Sequence, residues 1–232
     1  MPYQGGYGRG SDPGAEPAGE VPAASRAGVA GRSAWTHKHE AWLGGQRFDE
    51  PALGTTYAHY RAVVATRHAQ LDAVEVDLAT WLDRPPFADQ VARLAAYRGV
   101  TRLGGLTLAA EVGDWRRFAR AAQFMGFCGL VPSEYSSGHS VHRGRLTKAG
   151  NAHLRAQLVE SAWTYRHRPY VGRAIAGRQL GLDPEVVARA WAAQLRLSAR
   201  FRALAARKNT KSIVAAAIAR ELAGFLWAEM VA

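Results

Sequence analysis

FMGFCGLVPSEYSSGHSVHRGRLTKAGNAHLR, residues 124–155, decides how the rest of this chain is read. Two segments in it read as strands, Phe127 to Leu130 and Ser140 to Leu146. Between them lie Ser136, Ser137 and Gly138, residue types that make tight turns because they bond nearby backbone or accept unusual φ. A short β-hairpin around that turn is therefore expected. Beyond Gly150, Asn151 is placed to cap a helix from His153 to Arg166, with Leu154, Leu158, Ala162 and Tyr165 on its buried face. The remaining periodic segments have helical spacing, so the chain reads as mainly α-helical.

The same stretch carries chemistry. Four cations, Arg143, Arg145, Lys148 and Arg155, follow the turn with no acid between them. An exposed hydroxyl beside cations is what attack on a phosphodiester needs, because the nucleophile must be reachable and the developing phosphate charge neutralised. Two plainer readings fit the same residues: Ser and Gly as turn formers, and basic side chains as solvated or phosphate-contacting surface. Spacing alone points to nucleic-acid contact and leaves catalysis open.

Charge supports a polyanionic partner. The 232 residues carry a formal net charge of +11 and are 48% hydrophobic, enough for one or two domains with a core. Residues 1–96 hold 9 Lys/Arg against 11 Asp/Glu, whereas residues 97–232 hold 21 against 8. Phosphate neutralisation releases counterions, so the C-terminal part is expected to bind nucleic acid. The same imbalance disfavours a helical protein-interaction module. Cys128 is the single cysteine, which excludes an internal disulfide and a cysteine-based zinc site, and it reads as a buried apolar residue. No apolar run approaches the ~18 residues that cross a bilayer, and no apolar segment follows the N-terminal charges. A cytoplasmic protein without membrane contact is expected.

Along the chain, residues 1–34 contain 8 Gly and 4 Pro with few large aliphatic side chains, and read as a disordered tail. GGYGRG within it lacks the flanking strand and helix of a phosphate loop. WTHKHEAWLGGQRF, from Trp35, reads as a short helix ended by Gly44 and Gly45. His37 and His39 are two apart and point away from each other, so surface histidines fit better than metal ligands. Residues 55–82 place Tyr57, Tyr60, Val64, Arg67, Leu71, Val74, Leu78 and Trp81 at alternating steps of three and four. That spacing fits a coiled-coil seam or an amphipathic helix lying on its own domain. Arg84, Pro85 and Pro86 break the helix, separating a coiled-coil-like region, 35–84, from a C-terminal domain, 85–232. In that domain, Ala88 to Tyr97 and Leu103 to Val112 read as helices joined by Gly99, Val100 and Thr101. This is either a helix-hairpin-helix or, given the loosening Gly104 and Gly105, a plain helical hairpin. Asp183 and Pro184 open a helix carrying Val187, Trp191, Leu195 and Leu197 to about Ala206. Its far end is basic, with Arg196, Arg200, Arg202, Arg207, Lys208 and Lys211. Asn209 or Thr210 caps a last helix bearing Ile213, Ala217, Ile218, Leu222, Phe225 and Trp227.

GLVPSEYSSG followed by RGRLTKAGNAHLRAQLVESAW closely resembles the C-terminal transposase domain of the insertion-sequence one-ten family, the bridge-RNA-guided DNA recombinases. YRGVTRLGGLTLAAEVGDWRRF is similar to that family's helix-hairpin-helix segment, so the resemblance covers roughly residues 35–230. It implies DNA transposition and recombination by serine attack on a DNA phosphate, a phosphoserine intermediate, and Ser137 as the nucleophile. It also implies a guide RNA as partner, a homo-oligomer through the coiled coil at residues 55–82, and magnesium held by acids of an N-terminal RuvC-like domain. No such domain lies in this sequence, so a truncated copy with no cofactor or metal of its own is expected; the alternative is a non-catalytic nucleic-acid-binding remnant that modulates full-length recombinase. Charge and nearness in sequence add Arg143, Arg145, Lys148, Arg155, Arg200, Arg207, Lys208 and Lys211 as candidate phosphate contacts.

Overall fold

A computed structural model describes residues 36–134, 143–208 and 210–232, the side chain of Arg143 excepted. The expected tail, the Ser136–Gly138 turn with Ser137, and Asn209 lie outside the described residues. Within them the chain forms nine α-helices and one two-stranded antiparallel hairpin, a mainly α fold. Two compact units divide after Ala69.

In the first unit Thr36 Oγ1 accepts the His39 N–H at 3.3 Å and opens α1, His37–Gly44. The chain then enters α2, Pro51–Ala79, and the segment after α1 folds back along its start. Tyr57 donates its hydroxyl to the Leu43 carbonyl at 2.9 Å, packs its ring on Phe48, and Arg61 pairs with Glu40 at 2.9 Å. Tyr57 is thus occupied within the unit. Of the expected seam, Tyr60 in this unit is exposed and Val64 is half-buried, while Leu71, Val74 and Leu78 on the part of α2 beyond it, and Trp81 just past the helix, are exposed.

The second unit is organised by α9, Lys211–Val231, which is apolar nearly all round and so packs as a central helix. Against it lie α3, Ala88–Ala95, α5, Ala121–Phe127, α6, Ala152–Trp163, and α8, Pro184–Ala205. Leu154, Leu158, Ala162 and Tyr165 are fully buried, as the spacing after Asn151 predicts. The face of α8 differs from the expectation. Val186, Ala190, Ala193, Leu197 and Phe201 are buried, while Trp191 and Leu195 are exposed. Ala190 and Ala193 let α8 come close to its neighbours, where Trp191 would hold it off. On α9 the expected Ile213 is likewise exposed, and Val214, Ala215 and Ala219 are buried.

Helices α3 and α4, Arg102–Val112, form the expected pair. Gly105 packs against α3: a Cβ there would lie 3.3 Å from the Val91 carbonyl oxygen. The strand expected at Phe127–Leu130 is corrected by the structure. Phe127 ends α5, its ring packed 5.3 Å from Phe118, and β1 begins later at Pro132 and runs to Glu134. Its partner β2, Arg143–Leu146, falls inside the second expected segment.

One acid stands in the apolar interior. Glu229 on α9 has no exposed surface, and burial of a lone carboxylate would cost several kcal/mol. Its partners come from two other helices: Arg189 Nε on α8 at 2.7 Å, Arg93 Nε on α3 at 3.0 Å, and the Tyr97 hydroxyl just past α3 at 3.1 Å. Arg93 also donates to the Glu229 carbonyl oxygen. Burial works to raise the Glu229 carboxyl, but the hydrogen bonds from Arg189, Arg93 and Tyr97 prevail and hold it below the usual carboxylate range. Burial and the adjacent carboxylate push the Tyr97 hydroxyl well above its usual range. A lowered folded-state value means that the carboxylate stabilises at neutral pH, and that this is lost as pH falls through the folded value. Glu229→Gln should lower unfolding free energy in urea by about 3 kcal/mol at neutral pH, the low end for one partner of a buried pair because both arginines keep some solvent. The gap should narrow in acid; an equal gap throughout would contradict the charged pairing.

Candidate nucleic-acid interface

The hairpin stands on a knot of backbone contacts. α5 ends with the Cys128 N–H on the Phe124 carbonyl and the Leu130 N–H on the Met125 carbonyl, around Gly129 at φ +65°. The returning strand is tied to the same place. Thr147 N–H donates to the Val131 carbonyl at 3.0 Å and Asn151 N–H to the Phe127 carbonyl at 2.8 Å. At Gly150, φ is +130° and a Cβ would sit 2.3 Å from the Phe127 oxygen, so only glycine fits. Arg155 reaches across from α6, its Nη1 donating to the Lys148 carbonyl at 3.1 Å and the Cys128 carbonyl at 3.3 Å. Cys128 itself is buried in the core cluster, and burial pushes its thiol up to about 12, which leaves it unreactive at neutral pH.

Asn151 is the hub between this knot and α4. Its Oδ1 accepts the Leu154 N–H at 3.0 Å, capping α6, and its Nδ2 donates to Glu111 Oε2 at 2.6 Å. His153 Nδ1 meets Glu111 Oε1 at 2.8 Å. These bonds from Asn151 and His153 hold the Glu111 carboxyl below its ordinary range. Sequence reading found the cap but neither Glu111 nor His153, whose partnership spans about forty residues and has no local signature. In the hairpin, Ser133 Oγ donates to the Arg145 carbonyl at 3.1 Å, and β2 carries an extra residue opposite Pro132–Glu134.

The expected cations separate into two groups. Arg145 and Lys148 are exposed and make no ion pair with a described residue. Lys148 also has a left-handed backbone, φ 52°, unusual for a residue with a side chain. Arg207, Lys208 and Lys211, around the α8–α9 connection, are exposed in the same way. Arg155 is half-buried and committed to two carbonyls, and Arg200 pairs with Glu221 at 3.0 Å. Arg143 contributes its backbone to β2, at the end of the segment that leads from Ser137. Among the described residues no three His, Cys, Asp or Glu side chains converge. Nor is any described helix long and apolar enough to cross a membrane.

Comparison with known proteins gives the family of this region. Residues 91–175, from α3 through the hairpin and α6, match the model of the Transposase IS116/IS110/IS902 family. This region is a transposase domain of that family. The chain is 41% identical over 198 residues to a Sinorhizobium fredii protein named "Putative transposase y4qE", covering 85% of this chain and 47% of that one. It is 28% identical over 171 residues to the "Transposase for insertion sequence element IS1533" of Leptospira borgpetersenii, covering 73% of this chain and 49% of the relative. A third similarity, 29% over 112 residues, is to a Streptomyces coelicolor protein of insertion element IS110, 48% of this chain and 27% of that one. The chain spans about half the length of the first two relatives.

The two groups of cations should respond oppositely to removal. Arg145→Ala with Lys148→Ala should flatten the slope of log affinity against log salt for duplex DNA by about two, one per lost phosphate contact, and leave the melting temperature nearly unchanged. Arg155→Ala should lower the melting temperature by several degrees through two lost carbonyl bonds, and leave the slope within error. The reverse pattern would exchange their roles.

Proposed function

We infer that this chain is the DNA-contacting part of a transposase, and that Ser137 is its nucleophile. The observation that carries the reading is the transposase-family match over residues 91–175, with the exposed Arg145 and Lys148 on the strand and loop that follow the Ser137 segment. In the proposed step, Ser137 Oγ forms a bond to a DNA phosphorus as the bond from phosphorus to a deoxyribose oxygen breaks. The serine proton passes to a base, the leaving deoxyribose oxygen takes up a proton to become a hydroxyl, and the cut strand remains as a phosphoserine ester until the hydroxyl of another strand displaces Ser137 Oγ. Arg145 and Lys148 would contact the phosphates, with Arg143, Arg207, Lys208 and Lys211 as further contacts. Arg155 and Arg200 act on the protein itself, through the bonds described above. A guide RNA would supply the reading of DNA sequence.

Exposed apolar residues on and just after α2 complete the reading. Tyr60, Leu71, Val74, Leu78 and Trp81 would pair with the same residues of a second copy, whereas Tyr57 is already engaged by Phe48 and Leu43.

Two experiments test these assignments. In the presence of a full-length relative whose own serine is replaced, the wild-type chain and Ser136→Ala should form a covalent protein–DNA adduct and Ser137→Ala should not. An adduct lost in Ser136→Ala but kept in Ser137→Ala would move the nucleophile, and DNA binding without any adduct would favour a binding role alone. Light scattering at micromolar concentration should give an oligomer for the wild type and a monomer for Leu71→Glu; a monomeric wild type would remove the self-association.

A further inference from the structure

The far end of α6 opens a second basic surface. From Ser161 to Leu182 the chain carries Arg166, Arg168, Arg173 and Arg178 and no acid. Arg178 is taken by the Ala95 carbonyl at 2.8 Å; the other three are exposed. α6 stops at Trp163 and tightens into a single 3₁₀ turn, Thr164–Arg166, before His167 becomes extended. The turn is held firmly, because Thr164 Oγ1 donates to the Ser161 carbonyl at 2.7 Å and Gly99 packs beneath it.

Glu160, Trp163, Thr164, Arg166 and His167 line an open groove of about 500 Å³. Trp163 is half-buried, its indole lying 6.3 Å from the Phe201 ring, which fixes it while part of its surface faces the groove. Arg166 Nε donates to His167 Nε2 at 3.0 Å, which orients the guanidinium and leaves its two terminal nitrogens for an anion.

We propose that this groove binds one unpaired nucleotide of a single-stranded nucleic acid. The base lies against Trp163, its exocyclic amine toward Glu160, and its phosphate on Arg166. An indole stacks on any base, but in a duplex both faces of each base are already covered, so Trp163 selects unpaired nucleotides. A carboxylate accepts from an amino edge, and the Arg-rich segment neutralises the backbone. The inference shares with the proposed function only the premise that the partner is a nucleic acid. It uses none of the hairpin residues.

Labelled single-stranded oligonucleotides, in deoxy and ribo forms, and the duplexes made from them test it by fluorescence anisotropy. Trp163→Ala should weaken single-strand binding about tenfold, the loss of one stacked base, while duplex affinity changes by less than about twofold. Arg166→Ala, at an exposed position, should show the same preference with a smaller loss, and carries the test if Trp163→Ala does not fold. The form with the larger loss identifies the strand, DNA or RNA, that the groove holds. Unchanged single-strand affinity in both folded variants, or equal losses on duplex, would overturn the assignment. If Arg145→Ala with Lys148→Ala weakens duplex binding while the groove variants change nothing, this inference fails and the proposed function stands.

Discussion

A carboxylate with no exposed surface must be paired, and Glu229 is paired by groups from two other parts of the chain. That requirement fixes α3 and α8 against α9 more specifically than apolar contact can, since hydrophobic burial has no direction. α9 in turn packs against α5 and α6. Those two helices are the feet of the hairpin: α5 delivers the chain to β1, and α6 receives it after β2. The hairpin's position therefore traces back, through helix packing on α9, to an ionic contact on that same helix.

Much of this was legible before any coordinates. Helical spacing placed α8 and α9 within a residue or two, Asn151 announced the cap of α6, and Leu154, Leu158, Ala162 and Tyr165 were read as core and are core. The errors share a physical origin. On α8 the reading followed the largest apolar side chains, Trp191 and Leu195, but close-packed helices select small residues at the contact, here Ala190 and Ala193. Phe127 looked like a strand residue because aromatics favour strands, and it became the end of a helix because Phe118 and Arg117 offered its ring a place. Glu229 has a sequence signal of its own: it follows Leu222 and Leu226 on the same face, where an exposed acid has no reason to be.

Charge counting marks a basic region and cannot sort its members. Arg155 and Arg145 are equivalent in composition, yet one ties two loop carbonyls together and the other stands in solvent. The distinction depends on Cys128, distant in sequence from Arg155, so no local pattern could reveal it. The Glu111–Asn151–His153 set was illegible for the same reason, whereas the residues of the groove at Trp163 are neighbours in sequence and only the end of α6 shows which of them face solvent together.

The central claim is that the helical body holds the hairpin base rigid and presents its free cations to nucleic acid. Amide hydrogen exchange with and without duplex DNA tests this most directly. The account predicts slowed exchange in residues 143–151 on DNA binding, with the amides of α9 unchanged. Protection confined to the α8–α9 connection, with residues 143–151 unaltered, would contradict it.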